Sequence, residues 1–186
     1  MIRHTLFAAA TVMALGIAAP VMTAPVAMAA PAAQIRNDAE AALTRLYNQD
    51  TAARALGRKA KGILVFPEVT KGGVGIGGSY GEGVLYAGGK AVDYYSIGSG
   101  SLGLTLGAQS FSQVIMFMTD DALRAFRTSK GWEAGVDGSV VAIKDGAAAS
   151  ADTTTMDEPV VGFMFNQTGL MFDASFGGSK YTRIRR

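Results

Sequence analysis

Glycine is concentrated in one part of this chain, and that concentration limits what the chain can fold into. Of 24 glycines in 186 residues, 15 lie between Gly57 and Gly107. Within 73–80 every odd-numbered position holds Gly or Ser, which gives the two-residue period of a β-strand with one nearly bare face. We expect such faces to let a helix or a neighbouring strand approach closely and to favour sharp coiling of the sheet. The alternative use of the bare faces is a groove for a flat or aliphatic ligand such as an acyl chain.

The first 29 residues have the pattern of a secretory signal peptide. Arg3 precedes an apolar run at 6–19, and the small-residue site Ala27-Met28-Ala29 follows it. The run of about 14 residues is shorter than the roughly 20 that a membrane-spanning helix needs. Removal of 1–29 leaves 186 − 29 = 157 residues, and we expect 30–186 to form a single domain. The sequence thus predicts an exported, periplasmic protein, for which peripheral association with a membrane is an option.

The absence of cysteine and the position of the one histidine exclude much catalytic chemistry. His4 lies in the predicted signal peptide, so the mature chain has neither an imidazole nor a thiol. This excludes Ser-His-Asp and Cys-His nucleophiles, Cys/His zinc clusters, disulfides and the lipid-modified cysteine of a lipoprotein. The acidic pair Asp120-Asp121 fits a helix start, and Asp157-Glu158 lies in a polar stretch without ligand spacing. We predict no enzyme activity, no cofactor and no metal site.

Two helices are expected at the start of the mature chain, within 33–61. The first has one buried stripe at helical spacing, formed by Ile35, Ala39, Ala42, Leu43 and Leu46. Residues 48–51 interrupt it, and Asp50 is placed to cap a second helix that runs to Lys61 and stops at Gly62. This second helix is amphipathic, and one of its sides is basic.

The remainder, 62–185, reads mainly as strands. The expected strands are 63–66 (ended by Pro67), 74–80, 84–86, 91–97, 102–108, 114–118, 132–143, 160–165, 170–176 and 180–185. Thr119 should cap a short helix that ends near Thr128, and 144–158 should form a polar loop. Strand 114–118 is apolar throughout, as expected for a strand covered on both faces. The connections are too short for crossover helices, so the predicted class is α+β, with an N-terminal helix packed on a mostly antiparallel, strongly coiled sheet. Closure into a small barrel is an alternative.

A dinucleotide-binding pattern is present but lacks the context that it needs. Gly73, Gly75 and Gly78 match G-x-G-x-x-G, yet strand-like sequence follows where a helix is required, and the pattern recurs from Gly98. Aromatic and basic residues are not interleaved as in nucleic-acid-binding surfaces. We therefore expect this chain to bind no nucleotide, no nucleic acid and no small-molecule substrate.

Basic residues gather at the two ends of the mature chain. The candidate lipid-contacting residues are Arg54, Arg58, Lys59, Lys61, Lys71, Lys180 and Arg183. Next to a membrane, each Lys or Arg contributes about 1 kcal/mol of attraction to anionic headgroups. A solvated helix face explains the first group equally well, and Lys180 to Arg186 would also keep an edge strand soluble.

The order of short motifs resembles one known family. Residues 60–69, 71–78 and 80–85 read AKGILVFPEV, KGGVGIGG and YGEGVL. They are followed in order by Tyr94-Tyr95, Ser101-Leu102-Gly103-Leu104, Gly107-Ala108-Gln109-Ser110, Met116-Phe117-Met118-Thr119, Trp132, Gly135-Val136-Asp137, Gly169-Leu170-Met171 and Ser179-Lys180. Together these motifs, which span about 33–183, resemble the SYLF domain family, whose bacterial members are often described as lipoproteins or as actin-binding-domain-like.

The resemblance implies phospholipid binding through a basic amphipathic helix, with phosphoinositides preferred in animal members and actin bound in fungal members. By position it implies Arg54, Arg58, Lys59, Lys61 and Lys71 as lipid contacts. An exported protein would meet neither actin nor, ordinarily, phosphoinositides, and this chain has no cysteine for lipidation. We therefore expect a non-enzymatic domain that associates peripherally with anionic phospholipid in the cell envelope. The alternative is a structural or protein-interaction module of the periplasm, whose protein partner the sequence does not identify.

Overall fold

The computed structural model describes residues 30–144, 158–169 and 176–186, and the predicted signal peptide lies outside them. The described residues form three helices and six strands. The helices are α1 (Ala32–Gln49), α2 (Thr51–Lys59) and α3 (Asp120–Thr128); the strands are β1 (Gly62–Ala87), β2 (Lys90–Phe117), β3 (Trp132–Glu133), β4 (Val141–Lys144), β5 (Val160–Gly169) and β6 (Lys180–Ile184). The predicted α+β class, with helices first and a short helix between strands, is confirmed.

All six strands belong to one strongly curled sheet. Its strand order is β3-β6-β2-β5-β4, and the long strand β2 also pairs with β1. Every pairing is antiparallel except that of β4 with β5, so the sheet is mostly antiparallel as expected. The hairpin between β1 and β2 turns at Gly88-Gly89, whose φ angles of 58° and 76° are ones that glycine adopts easily.

The expected short strands merge into two long ones, and this part of the prediction is wrong. β1 has 26 residues and β2 has 28, because the pairing continues through register shifts at Phe66/Val69, Val74/Ile76 and Leu85/Tyr86. Bulges bend a strand without ending it, so Pro67 lies inside a bulge where a strand end was expected.

One further expected strand is interrupted in the structure, and two other expected segments lie mostly outside the described residues. The strand expected at 132–143 is divided into β3 and β4, because the chain turns between them at Gly135 with φ of 88°. Most of the expected strand 170–176 and of the polar loop 144–158 lies outside the described residues.

Glycines allow β1 to fold back across itself. A Cβ atom on Gly81 would lie 2.6 Å from the Glu68 carbonyl oxygen and 3.0 Å from Val69 Cγ2. A Cβ on Gly83 would overlap the Val65 carbonyl oxygen. The two halves of β1 are therefore in direct backbone contact at these positions. The expectation that bare strand faces permit close approach is confirmed here.

The sheet has a hydrophobic core on each face, and residues 114–117 of β2 contribute to both. Val114 and Met116 face α1 and α2, whose buried side chains are Ile35, Ala39, Ala42, Leu46, Ala53 and Leu56. Ile115 and Phe117 face α3 and an aromatic cluster on the other side. All four residues are fully buried, which confirms the prediction of a strand covered on both faces.

Helix α3 is anchored to the second core by Phe126. The ring of Phe126 lies 4.7 Å from those of Tyr95 and Phe117, 5.7 Å from Trp132 and 6.4 Å from Tyr181, measured between centroids. The helix begins as predicted, because the Thr119 side chain accepts a hydrogen bond of 3.1 Å from the Ala122 amide. This packing fixes the outer side of α3 relative to β2 and β6.

The C-terminus is tied to β1 through Glu82. Arg186 Nε donates to Glu82 Oε2 at 3.3 Å, and Tyr80 donates its hydroxyl proton to Glu82 Oε1 at 2.7 Å. Burial by itself would raise the pKa of Glu82, but the hydrogen bonds from Arg186 and Tyr80, the Arg186 charge and the Ala30 amide together lower it. The ionised carboxylate is thus the form that stabilises the fold.

The backbone contact in β1 can be tested with Gly81→Ala. We expect this methyl group to destabilise the fold by about 1 to 3 kcal/mol, as overpacking of a filled site does. Gly100→Ala is the matched control, because a Cβ on Gly100 meets no atom within 4 Å. Urea unfolding measures both, and equal stability of the two variants would contradict a close contact at Gly81.

The C-terminal ion pair can be tested with Glu82→Gln. Because the folded pKa of Glu82 is lowered from 4.5, its stabilisation is present above that pH and is lost as the pH falls through the folded value. We expect the variant to be about 1 kcal/mol less stable than the parent at pH 7 and to approach it as the pH falls through the folded pKa of Glu82. Thermal unfolding across this pH range measures the difference, with the exposed Glu40→Gln as the control. A deficit in Glu82→Gln that stays constant down to pH 3 would be the contrary result.

Candidate functional site

The strongest candidate site is built on α2, whose start is set by Asp50. The Asp50 side chain accepts a hydrogen bond of 2.9 Å from the Ala53 amide, as the sequence predicted. The helix ends at Lys59, two residues earlier than expected. Lys61 lies in the following turn, where its amide donates to the Phe117 carbonyl at 2.8 Å. Gly62 starts β1, and its bare Cα leaves room for Leu123 of α3.

Helix α2 has one side buried in the core and one side exposed and basic. Ala53 and Leu56 are 0% and 1% exposed, so the apolar side of the helix is fully used in packing. Arg54, Arg58 and Lys59 lie on the solvent side. No acidic residue occurs between Asp50 and Glu68 in the sequence, so α2 offers solvent only positive charge from its own residues.

A surface groove of about 450 Å³ separates the end of α1 from α2. It is lined by Thr44, Tyr47, Asn48, Arg54, Gly57 and Arg58. Arg54 Nη2 donates to Asn48 Oδ1 at 3.1 Å, which positions this guanidinium beside the groove. The Tyr47 hydroxyl lies over Gly57, where a Cβ would overlap it. Burial raises the pKa of Tyr47, so its hydroxyl keeps the proton that it can donate.

The groove can therefore present two guanidinium groups and a phenolic donor to a single oxyanion. This is the arrangement that binds phosphate, because guanidinium groups donate charge-assisted hydrogen bonds to its oxygens. Sequence reasoning identified Arg54 and Arg58 but missed Tyr47 and Asn48. Tyr47 and Asn48 follow Thr44 by three and four residues, which places all three on one side of α1. Only the tertiary packing against Gly57 brings that side of α1 to α2.

Lys61 and Lys71 do not extend the α2 surface equally. Lys61 Nζ lies 3.8 Å from Asp120 Oδ2 of α3, and the two side chains are 49% and 73% exposed. Such a surface pair contributes little and leaves Lys61 available to another anion. Lys71 lies ten residues beyond Lys61 on β1, where it pairs with Gln109, and it is not among the residues that line the α1–α2 groove. The structure therefore groups Lys61 with α2 and places Lys71 elsewhere.

The C-terminal candidates lie on the other side of the sheet from α2. Arg183 Nη2 lies 3.4 Å from Asp93 Oδ2 and donates to the Arg127 carbonyl at 3.0 Å. Its guanidinium also lies 5.9 Å from the ring centre of Tyr95, which belongs to the core that faces α3. Lys180 packs its alkyl chain beside Gly131. These two residues thus form a second location and do not enlarge the first.

Within 30–144, 158–169 and 176–186, no helix combines the length and apolar character needed to cross a bilayer. The same ranges contain no group of three or more His, Cys, Asp or Glu side chains placed to hold a metal ion.

Comparison with known proteins supports the family resemblance. Residues 98–185, from the middle of β2 to the end of β6, match the family model Ysc84, described as Las17-binding protein actin regulator. Beta cell expansion factor A of Aeromonas veronii is 33% identical over 149 residues, which cover 79% of this chain and 55% of that protein. The chain thus spans about half the length of this curated relative. The matches confirm the resemblance carried by the order of motifs in the sequence: residues 98–185 match the Ysc84 model of the SYLF family, and the chain is similar to a SYLF-family protein.

Proposed function

We propose that this domain associates peripherally with anionic phospholipid through the exposed side of α2, without catalysing a reaction. Similarity to the SYLF family supports a binding domain of the lipid- or actin-binding type. The observation that carries the finer proposal is the purely basic solvent side of α2, formed by Arg54, Arg58 and Lys59 and continued by Lys61.

Binding on this surface is electrostatic, because the apolar side of α2 is not available. Ala53 and Leu56 are buried in the core that α1 and α2 share with one face of the sheet, and they would have to leave it to enter a bilayer. Four basic side chains at about 1 kcal/mol each give roughly 4 kcal/mol of attraction to an anionic surface. The Debye length is about 10 Å at 0.1 M salt, so this attraction weakens as salt is added.

The groove between α1 and α2 gives this surface a place for one phosphate group. Arg54 and Arg58 flank the groove, and the Tyr47 hydroxyl supplies a neutral donor within it. Both phosphodiester and phosphoinositide headgroups carry oxygens that such donors bind. We propose a general affinity for anionic phospholipid, in the periplasm if residues 1–29 act as a signal peptide, with no preference for phosphatidylinositol.

A protein-interaction module is the second candidate function. The description of the matching family names a protein, Las17, as the partner of its members. Protein partners bind mainly through complementary shape and apolar contact. Such binding depends less on salt than the electrostatic contact of α2 with lipid does. Salt-insensitive capture of a purified envelope protein, with no binding to anionic vesicles, would favour this candidate.

The lipid proposal is tested by sedimentation with vesicles of phosphatidylglycerol in phosphatidylcholine. We expect Arg54→Gln, Arg58→Gln and Lys61→Gln together to remove about 3 kcal/mol, which is about a 100-fold loss of affinity at low salt. The matched control is the triple change Arg45→Gln, Lys90→Gln and Lys130→Gln, which removes the same charge from exposed positions elsewhere. Unchanged binding of the α2 variant, or equal losses in the two variants, would refute the proposal.

A further inference from the structure

A second group of basic side chains surrounds a groove between α3 and β6. The groove has a volume of about 540 Å³ and is lined by Asp120, Leu123, Arg124, Arg127, Thr128 and Arg183. Leu123 packs into the core that faces α3, away from the face covered by α1 and α2. This groove therefore lies apart from Arg54 and Arg58, although its lining residue Asp120 also contacts Lys61. Arg124 and Arg127 were not among the residues singled out from the sequence.

Asp93 forms ion pairs with two of these arginines, without a hydrogen bond to the shared oxygen. Arg127 Nη2 lies 3.2 Å and Arg183 Nη2 lies 3.4 Å from the same oxygen, Asp93 Oδ2. Arg183 is held further by the Arg127 carbonyl at 3.0 Å and by the ring of Tyr95. The Arg183 guanidinium is thus oriented before any ligand arrives, which lowers the entropy that binding would cost. Arg127 is placed beside it by the ion pair with Asp93.

The carboxylate lies beneath the two guanidinium groups. The Asp93 side chain is 16% exposed, whereas those of Arg127 and Arg183 are 42% and 48% exposed. The contacts with Asp93 involve one terminal nitrogen of each arginine, Nη2. Because a guanidinium carries five N–H donors, two such groups at one groove can bind a further oxyanion on the solvent side.

Arg124 provides a third cation that can turn towards the groove. It contacts Asp121 at 3.1 Å, but the two side chains are 69% and 87% exposed. An exposed pair of this kind contributes at most about 1 kcal/mol, so a ligand in the groove can compete for Arg124. The groove then brings its three arginines close to Asp93 and Asp120. Asp120 also lies near Lys61.

We propose that the groove between α3 and β6 binds a phosphate monoester or inorganic phosphate. The site and its ion-pair partners have an excess of one positive charge, since Arg124, Arg127, Arg183 and Lys61 face Asp93, Asp120 and Asp121. A phosphate with a charge near −2 gains more from this excess than a phosphodiester with a charge of −1. The forked guanidinium groups also match the spacing of two phosphate oxygens. The proposal does not depend on lipid binding by α2.

Calorimetric titration of the full chain with sodium phosphate at pH 7 tests the proposal. The reference is sodium chloride at equal ionic strength, so that general screening cancels. We expect saturable heat with phosphate only, and at least a fivefold loss of affinity in Arg124→Gln and in Arg127→Lys. Arg127→Lys keeps the charge opposite Asp93 but removes the fork, and Arg45→Gln on α1 is the control expected to bind like the parent. Circular dichroism and melting temperature report whether each variant is folded.

The result that overturns the proposal is the absence of phosphate-specific heat, or equal phosphate affinity in Arg124→Gln, Arg127→Lys and Arg45→Gln. The double variant Arg54→Gln and Arg58→Gln, which leaves Lys61 and its contact with Asp120 intact, should still bind phosphate, so the two proposals can fail independently. Vesicles of phosphatidic acid and phosphatidylglycerol at matched surface charge then identify the source of the phosphate. A preference for phosphatidic acid that Arg127→Lys abolishes supports a lipid headgroup, and saturable binding of free phosphate without that preference supports a soluble phosphate.

Discussion

The close contact between the two halves of β1 is the constraint on which the rest of the fold depends. At Gly81 and Gly83 the backbone lies against residues 65–69 with no space for a side chain. This contact lets one 26-residue strand curl while it stays paired with β2 along most of its length. The curl in turn brings β6 beside the first part of β2 and β5 beside its last part. Two cores then form on the two faces of a single sheet.

The two cores explain why the basic residues form two separate surfaces. α1 and α2 cover one face and expose Arg54 and Arg58, whereas α3 covers the other and exposes Arg124 and Arg127. Both surfaces lie on helices whose apolar residues are committed to the core. The domain is therefore suited to contacts with anions at its surface, and insertion of a helix would cost it core packing.

Local signals were sufficient to predict the helices but not the sites. Asp50 and Thr119 cap their helices as expected, because a cap depends on residues three positions apart. The continuity of β1 was missed, since Pro67 and the glycines act as strand ends unless distant pairing holds the chain extended. The contact of Arg183 with Asp93 joins residues 90 positions apart, and no spacing in the sequence indicates it. The family resemblance, by contrast, was identified from the order of short motifs.

We expect α2 to lie on the headgroup layer while its apolar side stays in the core. The chain contains no cysteine, so Thr51→Cys on the exposed side of α2 gives one position for a fluorescent label. Quenching by lipids that carry nitroxides at different depths then measures where the label lies on anionic vesicles. We expect the label to lie at the depth of the headgroups, only on vesicles with anionic lipid and not in high salt. A label within the acyl chains, or one not quenched at any depth, would contradict it.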